Sequence, residues 1–451
     1  MQKLLISCFI LTFCLSSGSQ AHSPAQSLPD LGSPGLVLYD RNMEIDLGRA
    51  FLTALHTEYD MTTDPFVVEY IRQIGQRIIS HTADGRNYRF FVINRPEINA
   101  FAGPDGIIGI NTGLILAAAT EDELASVIAH EIAHITQEHL SRRFEQFEQG
   151  NMASLASLLA AILIGTQDPS AGIATFIGGS SLAIQNQLRF SRIHEHEADS
   201  MGIQLLSKAG YNPSAMARFF DNLHRQHNHT NRPPEILLTH PVTERRTALA
   251  LARAEQLRAT EEQRLNLKLI QARLNPSRIE TRGLSSYEQL ALTCYQQYLS
   301  NQNENSLTCL TEATNTLPNN RLLKIAIADT QDKLEQDSTN LLKISNIYPQ
   351  DNALAFTLAN HYISRQNIDL AIITLIEQSK KTNAKIELFN KISELYNQQQ
   401  KTAHALYFQA LRETEIGNLR RARHLLVRAK ENTDERDLLL EINNLNEKIR
   451  E

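Results

Sequence analysis

Two histidines one helical turn apart, on a stretch that is otherwise apolar, constrain this chain more than any other feature. His130-Glu131-Ile132-Ala133-His134 follows Thr120-Glu121-Asp122-Glu123, a capping box with Thr at the N-cap and Glu three residues on. The box opens a helix expected to run to about residue 149. Spacing i, i+4 places both imidazoles on one helix face. Leu124, Ala125, Val127, Ile128, Ile132, Ala133 and Ile135 make the rest of this segment apolar, so the helix reads as buried. Burying two His and a Glu without partners costs several kcal/mol. Two neutral imidazole nitrogens at this spacing can share one Zn2+ at about 2.0–2.1 Å, with Glu131 beside the metal as a general base for water. With 15 His in 451 residues, a chance match to the motif is roughly a 3% event.

A catalytic zinc site needs a third protein ligand and an open position. Ser191-Arg192-Ile193-His194-Glu195-His196-Glu197-Ala198-Asp199 lies on a second helix, expected over 188–209 and ended by Gly210 and Pro213. Helix phase alone leaves Glu195, His194 and His196 all open as the third ligand.

At these residues the chain resembles the gluzincin metallopeptidases of the HtpX and CAAX-prenyl endopeptidase type. Their second motif, E-x-x-x-D, matches Glu195 and Asp199. The resemblance implies one Zn2+ per chain held by His130, His134 and Glu195, with Glu131 and Asp199 as catalytic residues. Zinc would polarise the scissile carbonyl. Glu131 would take a proton from water and deliver it to the leaving amine, Asp199 would orient an imidazole, and Glu197 would face away. Asn99-Ala100-Phe101, followed by Gly106-Ile107-Ile108 and Asn111-Thr112-Gly113-Leu114, resembles the family's edge-strand segment, to which an extended substrate adds through main-chain hydrogen bonds. Thr239-His240-Pro241 resembles an element of the family's periplasmic, repeat-bearing branch. By that resemblance His240 is a switch ligand that fills zinc's open position in a resting enzyme. His224, His227 and His229 lie in a polar stretch, 224–235, expected to be a loop.

The flanking segments give the domain plan. Lys3, the apolar run 4–15 and Ser19-Gln20-Ala21 read as a secretory signal over 1–21, followed by an extended leader over 22–43. A zinc metallopeptidase domain is expected over 44–275. It would hold amphipathic helices at 44–56 and 65–81, strands at 89–93 and 106–111, a lid at 152–188 and a charged helix at 242–272. After Gly283 the chain is almost free of Gly and repeats with a period near 34, in units starting near Tyr287, Asn352 and Ala403. These resemble tetratricopeptide repeats, expected over 284–451, with a degenerate unit at 319–349. The fold class is therefore mainly α: an α+β peptidase domain with a small β-sheet, then an α-helical repeat domain. Cys294 and Cys309, the two cysteines beyond the signal, either pair in an oxidising compartment or are buried small hydrophobes.

Composition sets the remaining bounds. Net charge is −6, which argues against nucleic-acid binding through bulk positive charge. No apolar run of the length of a membrane span follows the N-terminus. The resemblance implies a periplasmic protein whose partners are unfolded or misassembled outer-membrane proteins and, through the repeats, the β-barrel assembly machinery. A different class remains open: a non-proteolytic chaperone or scaffold that uses the repeats and carries a latent zinc site.

Overall fold

The computed structural model describes residues 40–145, 181–229, 234–277, 279–335 and 337–450. The expected signal (1–21), the leader up to residue 39 and the expected lid up to residue 180 lie outside the described residues. The described chain is mainly α-helical with one small sheet, as the sequence pattern predicts. Helix α1 (Arg41–Glu58) is capped by Asp40, and α2 (Pro65–Ile79) by Asp64, with Pro65 where a missing N–H costs nothing. Strands β1 (Arg89–Ile93), β2 (Ala100–Ala102) and β3 (Ile107–Asn111) form a sheet of order β1-β3-β2. Strand β3 runs parallel to β1 and antiparallel to β2, and all five of its residues are buried. Gly109 in β3 pairs with Phe101; a Cβ there would stand 2.3 Å from the Phe101 ring.

After α3 (Thr112–Ala117) comes the histidine helix, α4 (Glu121–Thr136). The Thr120 side chain accepts from Glu123 N–H, while the Glu123 carboxylate takes the N–H of Ala119, one residue outside the predicted box. The helix does not run on to 149. It stops at Thr136, Glu138 takes a left-handed conformation with φ 54°, and α5 (His139–Glu145) starts afresh. Helix α6 (Ser181–Lys208) begins earlier than expected and ends at Gly210, whose φ of 79° suits glycine.

Two further expectations are corrected. The polar stretch 224–235 is not all loop, because α7 (Ala215–His229) continues through His224. Its apolar stripe, Ala215, Phe219, Phe220 and Leu223, is buried and carries the helix onward. The charged segment 242–272 is two helices, α9 (Glu244–Ala254) and α10 (Leu265–Leu274), preceded by the short α8 (Glu235–Thr239). The chain between α9 and α10 is pulled from helix by tertiary hydrogen bonds at the start of α4. Gln263 N–H donates to Asp122, Gln263 O accepts from Glu121 N–H, and Thr260 O accepts from Asn212.

The C-terminal part is a run of helices, α11 (Ser286–Leu299), α12 (Asn303–Thr316), α13 (Arg321–Glu335), α14 (Thr339–Ile347), α15 (Asn352–Ser364), α16 (Ile368–Ser379), α17 (Ile386–Gln398), α18 (Thr402–Ile416), α19 (Leu419–Glu431) and α20 (Arg436–Lys448). The degenerate stretch 319–349 is thus a helix pair like its neighbours. A disulfide joins Cys294 on α11 to Cys309 on α12, with Cα atoms 5.3 Å apart. One hydrophobic core joins residues from Phe66 to Leu358, and a second fills the helices from Ala359 onward. Leu47, Phe51 and Leu52 of α1 share a smaller core with Ile386 and Ile416, so the first described helix packs back against α17 and α18.

Candidate metal centre

Helices α4 and α6 lie against each other at Gly202. A Cβ on Gly202 would meet backbone atoms of Ala129 and His130 at 3.2–3.3 Å. Glu195, Asp199 and Gly202 are spaced i, i+4, i+7, so the close approach at Gly202 holds the two acidic residues opposite His130 and His134. The tip following α8 adds His240.

These elements bring four donors together. The nitrogens or oxygens of His130, His134, Glu195 and His240 all lie within 4.8 Å of one another. His130 Nε2 is 3.0 Å from His134 Nε2, 3.3 Å from His240 Nδ1 and 3.4 Å from Glu195 Oε2. Glu195 Oε1 is 3.1 Å from His240 Nδ1 and 3.5 Å from His134 Nε2. A tetrahedral ion with bonds of about 2.1 Å needs its ligands about 3.4 Å apart, so the spacing fits one metal ion. Formal charge points the same way. Glu131, Glu195 and Asp199 are buried carboxylates, and Arg246 is the buried cation among them; the surplus matches a divalent ion.

Protonation preferences in the cluster reflect this charge. Burial disfavours the charged form of His130, but Asp199 and Glu195 outweigh it and raise the pKa to about 10. Burial and neighbouring imidazoles hold His134 well below the usual range, so it is neutral and suited to ligation. Burial alone would raise Glu195, yet His240, His130 and His134 hold its carboxyl well below the ordinary value.

The sequence candidates are placed as follows. Glu131 is buried, with Oε1 3.5 Å from His240 Nε2. Asp199 Oδ1 lies 3.1 Å from His130 Nδ1. His194 is buried but outside the donor group, and His196 is on the same helix and also outside it. Asn99 precedes β2 and donates its side-chain amide to Glu235 at 2.9 Å. Asn99 O and Gly103 N–H both bond to β3, so by alternation Ala100 and Ala102 turn their peptide groups to the outer edge while Phe101 faces β3. At residue 98 that outer edge is already taken, because Ile236 N–H donates to Ile98 O at 3.1 Å. Burial raises the Glu235 carboxyl to about 7.

Three residues around the donors escape the sequence reading. Arg246 donates to both oxygens of Asp199 at 2.7 Å and contacts Glu195 Oε2 at 3.0 Å, with its guanidinium over the Phe220 ring. Its one signal was position, six residues after His240 in an otherwise surface-like charged run. His139 sits with Nδ1 2.8 Å from His134 Nδ1. Glu197, expected to face away, contacts His139 and Arg142.

Residues 67–254 match peptidase family M48. The chain is 35% identical over 260 residues to the beta-barrel assembly-enhancing protease of Escherichia coli, covering 57% of this chain and 53% of that protein. It is 36% identical over 255 residues to a putative beta-barrel assembly-enhancing protease of Vibrio cholerae, covering 56% and 52%. A mitochondrial metalloendopeptidase of Bos taurus is 29% identical over 157 residues, covering 34% and 30%. The chain thus spans about half the length of the first of these relatives. Among the described residues no helix is long and apolar enough to cross a membrane.

Proposed function

We propose that this chain is a zinc-dependent endopeptidase of the periplasm that acts in outer-membrane protein quality control, degrading misfolded or stalled β-barrel precursors and assisting their assembly. The observation that carries the reading is the four-donor cluster with Glu131 beside it, inside the stretch that matches peptidase family M48. The names of the relatives supply the biological setting.

His130, His134 and Glu195 would hold zinc, whose Lewis acidity polarises a scissile carbonyl and acidifies water. Glu131 takes the proton of the attacking water and returns it to the leaving amine. Asp199, itself clamped by Arg246, holds His130 Nδ1 so that Nε2 faces the donors. The outward peptide groups of Ala100 and Ala102, with Asn99 and Phe101 shaping the strand, receive an extended substrate as a further strand. His240, fourth in the donor group, blocks the position a substrate needs and makes the resting enzyme latent. The signal over 1–21 delivers the chain to the periplasm, 152–188 acts as a lid, and the helix pairs over 284–451 are tetratricopeptide repeats that dock on the β-barrel assembly machinery.

The experiment is cleavage of an unfolded test protein by the chain without its signal, with zinc content measured in parallel. One zinc per chain and cleavage are expected. Glu131→Gln should retain zinc and lose activity by about 10²–10⁴-fold, and His240→Ala should cleave faster than the wild type. The presence of His240 among the donors also favours a second reading, a scaffold with a latent site. One zinc bound with no cleavage, even by His240→Ala, would establish that reading in place of the first.

A further inference from the structure

The two helical ligands are backed differently. His130 has a carboxylate behind it, Asp199, 3.1 Å from Nδ1. His134 has a second imidazole, with His134 Nδ1 2.8 Å from His139 Nδ1. Behind His139, Nε2 lies 3.1 Å from Glu197 Oε2, and Glu197 is ion-paired with Arg142. His139 is buried, and its ring stacks on His194 with centroids 4.2 Å apart and planes 11° from parallel.

The direction of each hydrogen bond in this row follows from its first member. A metal at the donor cluster needs the lone pair of His134 Nε2. The proton of the neutral ring is then on Nδ1, which donates to His139 Nδ1. His139 accepts there, so its own proton is on Nε2 and is donated to Glu197. Arg142 donates to the same carboxylate oxygen, Glu197 Oε2, and keeps it an acceptor. This set of tautomers gives every imidazole nitrogen of His134 and His139 a partner.

We propose that His139 is a positioning residue for metal binding, which together with Glu197 and Arg142 fixes the tautomer and orientation of His134. The proposal rests on the zinc reading above and deepens it. Ligating imidazoles are ordinarily held by an acceptor on their second ring nitrogen; here the acceptor is a histidine that itself needs a carboxylate. The backbone is built to deliver it. On an unbroken helix, five residues at 100° each would put His139 about 140° around from His134. The stop at Thr136 and the left-handed Glu138 turn the chain so that His139 returns to the His134 side. A residue with a Cβ adopts that conformation only where surrounding contacts enforce it, and Glu138 is tied to Arg86 at 3.2 Å.

The test measures zinc affinity of the metal-free chain by competition with a chromophoric chelator, and the visible spectrum of the Co2+ form. Neither readout needs catalysis. His139→Phe keeps a ring against His194 and removes both nitrogens. It should bind one zinc about 10–100-fold more weakly with altered Co2+ bands. His139→Asn, which offers an amide oxygen near the Nδ1 position, should recover part of the loss. Glu197→Ala should weaken zinc in the same direction, and because Glu197 is 38% exposed this variant decides the matter should His139→Phe fail to fold. Wild-type affinity and an unchanged Co2+ spectrum in Glu197→Ala and in folded His139→Phe would overturn the proposal while leaving the zinc site intact. A wild-type chain that binds no zinc would overturn the proposed function and this proposal together.

Discussion

Arg246 is tolerated in the interior because Glu195 and Asp199 are there, and those carboxylates are tolerated because Arg246 is. Removing one member of a buried ionic set strands the others without water, which costs about 3–5 kcal/mol. Arg246→Met is therefore expected to lower metal-free stability by about that amount in urea denaturation, with the slope unchanged. Adding Asp199→Asn should recover part of the loss, since the two residues act as one unit. At this scale the sequence exposed the ligands more readily than their supports. His130 and His134 announce themselves because i, i+4 spacing is itself the signal, whereas Glu195 is singled out from His194 and His196 only by the family resemblance. Arg246 reaches the site across tertiary space, from a segment whose charges look solvated. His139 is hidden for the opposite reason: it follows the motif closely, but at a spacing that helical periodicity assigns to another face. The bend at Glu138 that corrects the phase has no sequence mark, because glutamate is not a residue from which a left-handed turn is read.

Gly202 shows how an element-level contact sets the site. It lies where α6 meets the backbone of α4 at Ala129 and His130. Gly202→Val would push extra carbons into that seam and force the helices apart, an overpacking cost of about 1–3 kcal/mol. Zinc affinity should fall along with stability, because Glu195 moves with α6 while His130 and His134 stay on α4; parallel measurement of zinc affinity and urea midpoint checks both. A stability loss with affinity unchanged would mean that α6 accommodates the side chain by bending beyond the ligands. Most elements were readable from capping and periodicity: Asp64 with Pro65 starts α2, and Thr120 starts α4. The errors fall where distant residues compete for the backbone. The non-helical passage before α10 exists because Asp122, Glu121 and Asn212 bond to residues 260–263, and no local pattern encodes those partners.

For the molecule as a whole, the C-terminal helices carry their own electrostatic anchor. Asp329 on α13 is buried and accepts from His361 on α15 at 2.7 Å, from Tyr298 on α11 at 2.8 Å and from Lys333 at 2.7 Å. Burial works against its charge, but His361 and Lys333 outweigh it and hold the carboxyl below its ordinary value of 3.8. A carboxyl depressed in the folded state stabilises in full above its unfolded pKa, and that stability is lost as pH falls through the folded value. Acid unfolding followed by circular dichroism should therefore steepen below about pH 4. Asp329→Asn should blunt that steepening and lower neutral-pH stability by about 1–3 kcal/mol; an unchanged acid profile would remove Asp329 as its source. The shared core of α1 with Ile386 and Ile416 escaped the sequence reading, because none of the three helices carries a sign of its distant partners. The position of the donors along the chain has a consequence for synthesis. A ribosome releases His130 and His134 first, and one helix face offers a metal two ligands, too few for a closed site. Glu195 must follow before an ion is gripped from two helices, and His240 and Arg246 follow later still. A newborn chain thus passes through a stage in which Glu195 and Asp199 have emerged but neither their guanidinium counter-charge nor the fourth donor has, and the site reaches its mature balance only once the chain is out to residue 246.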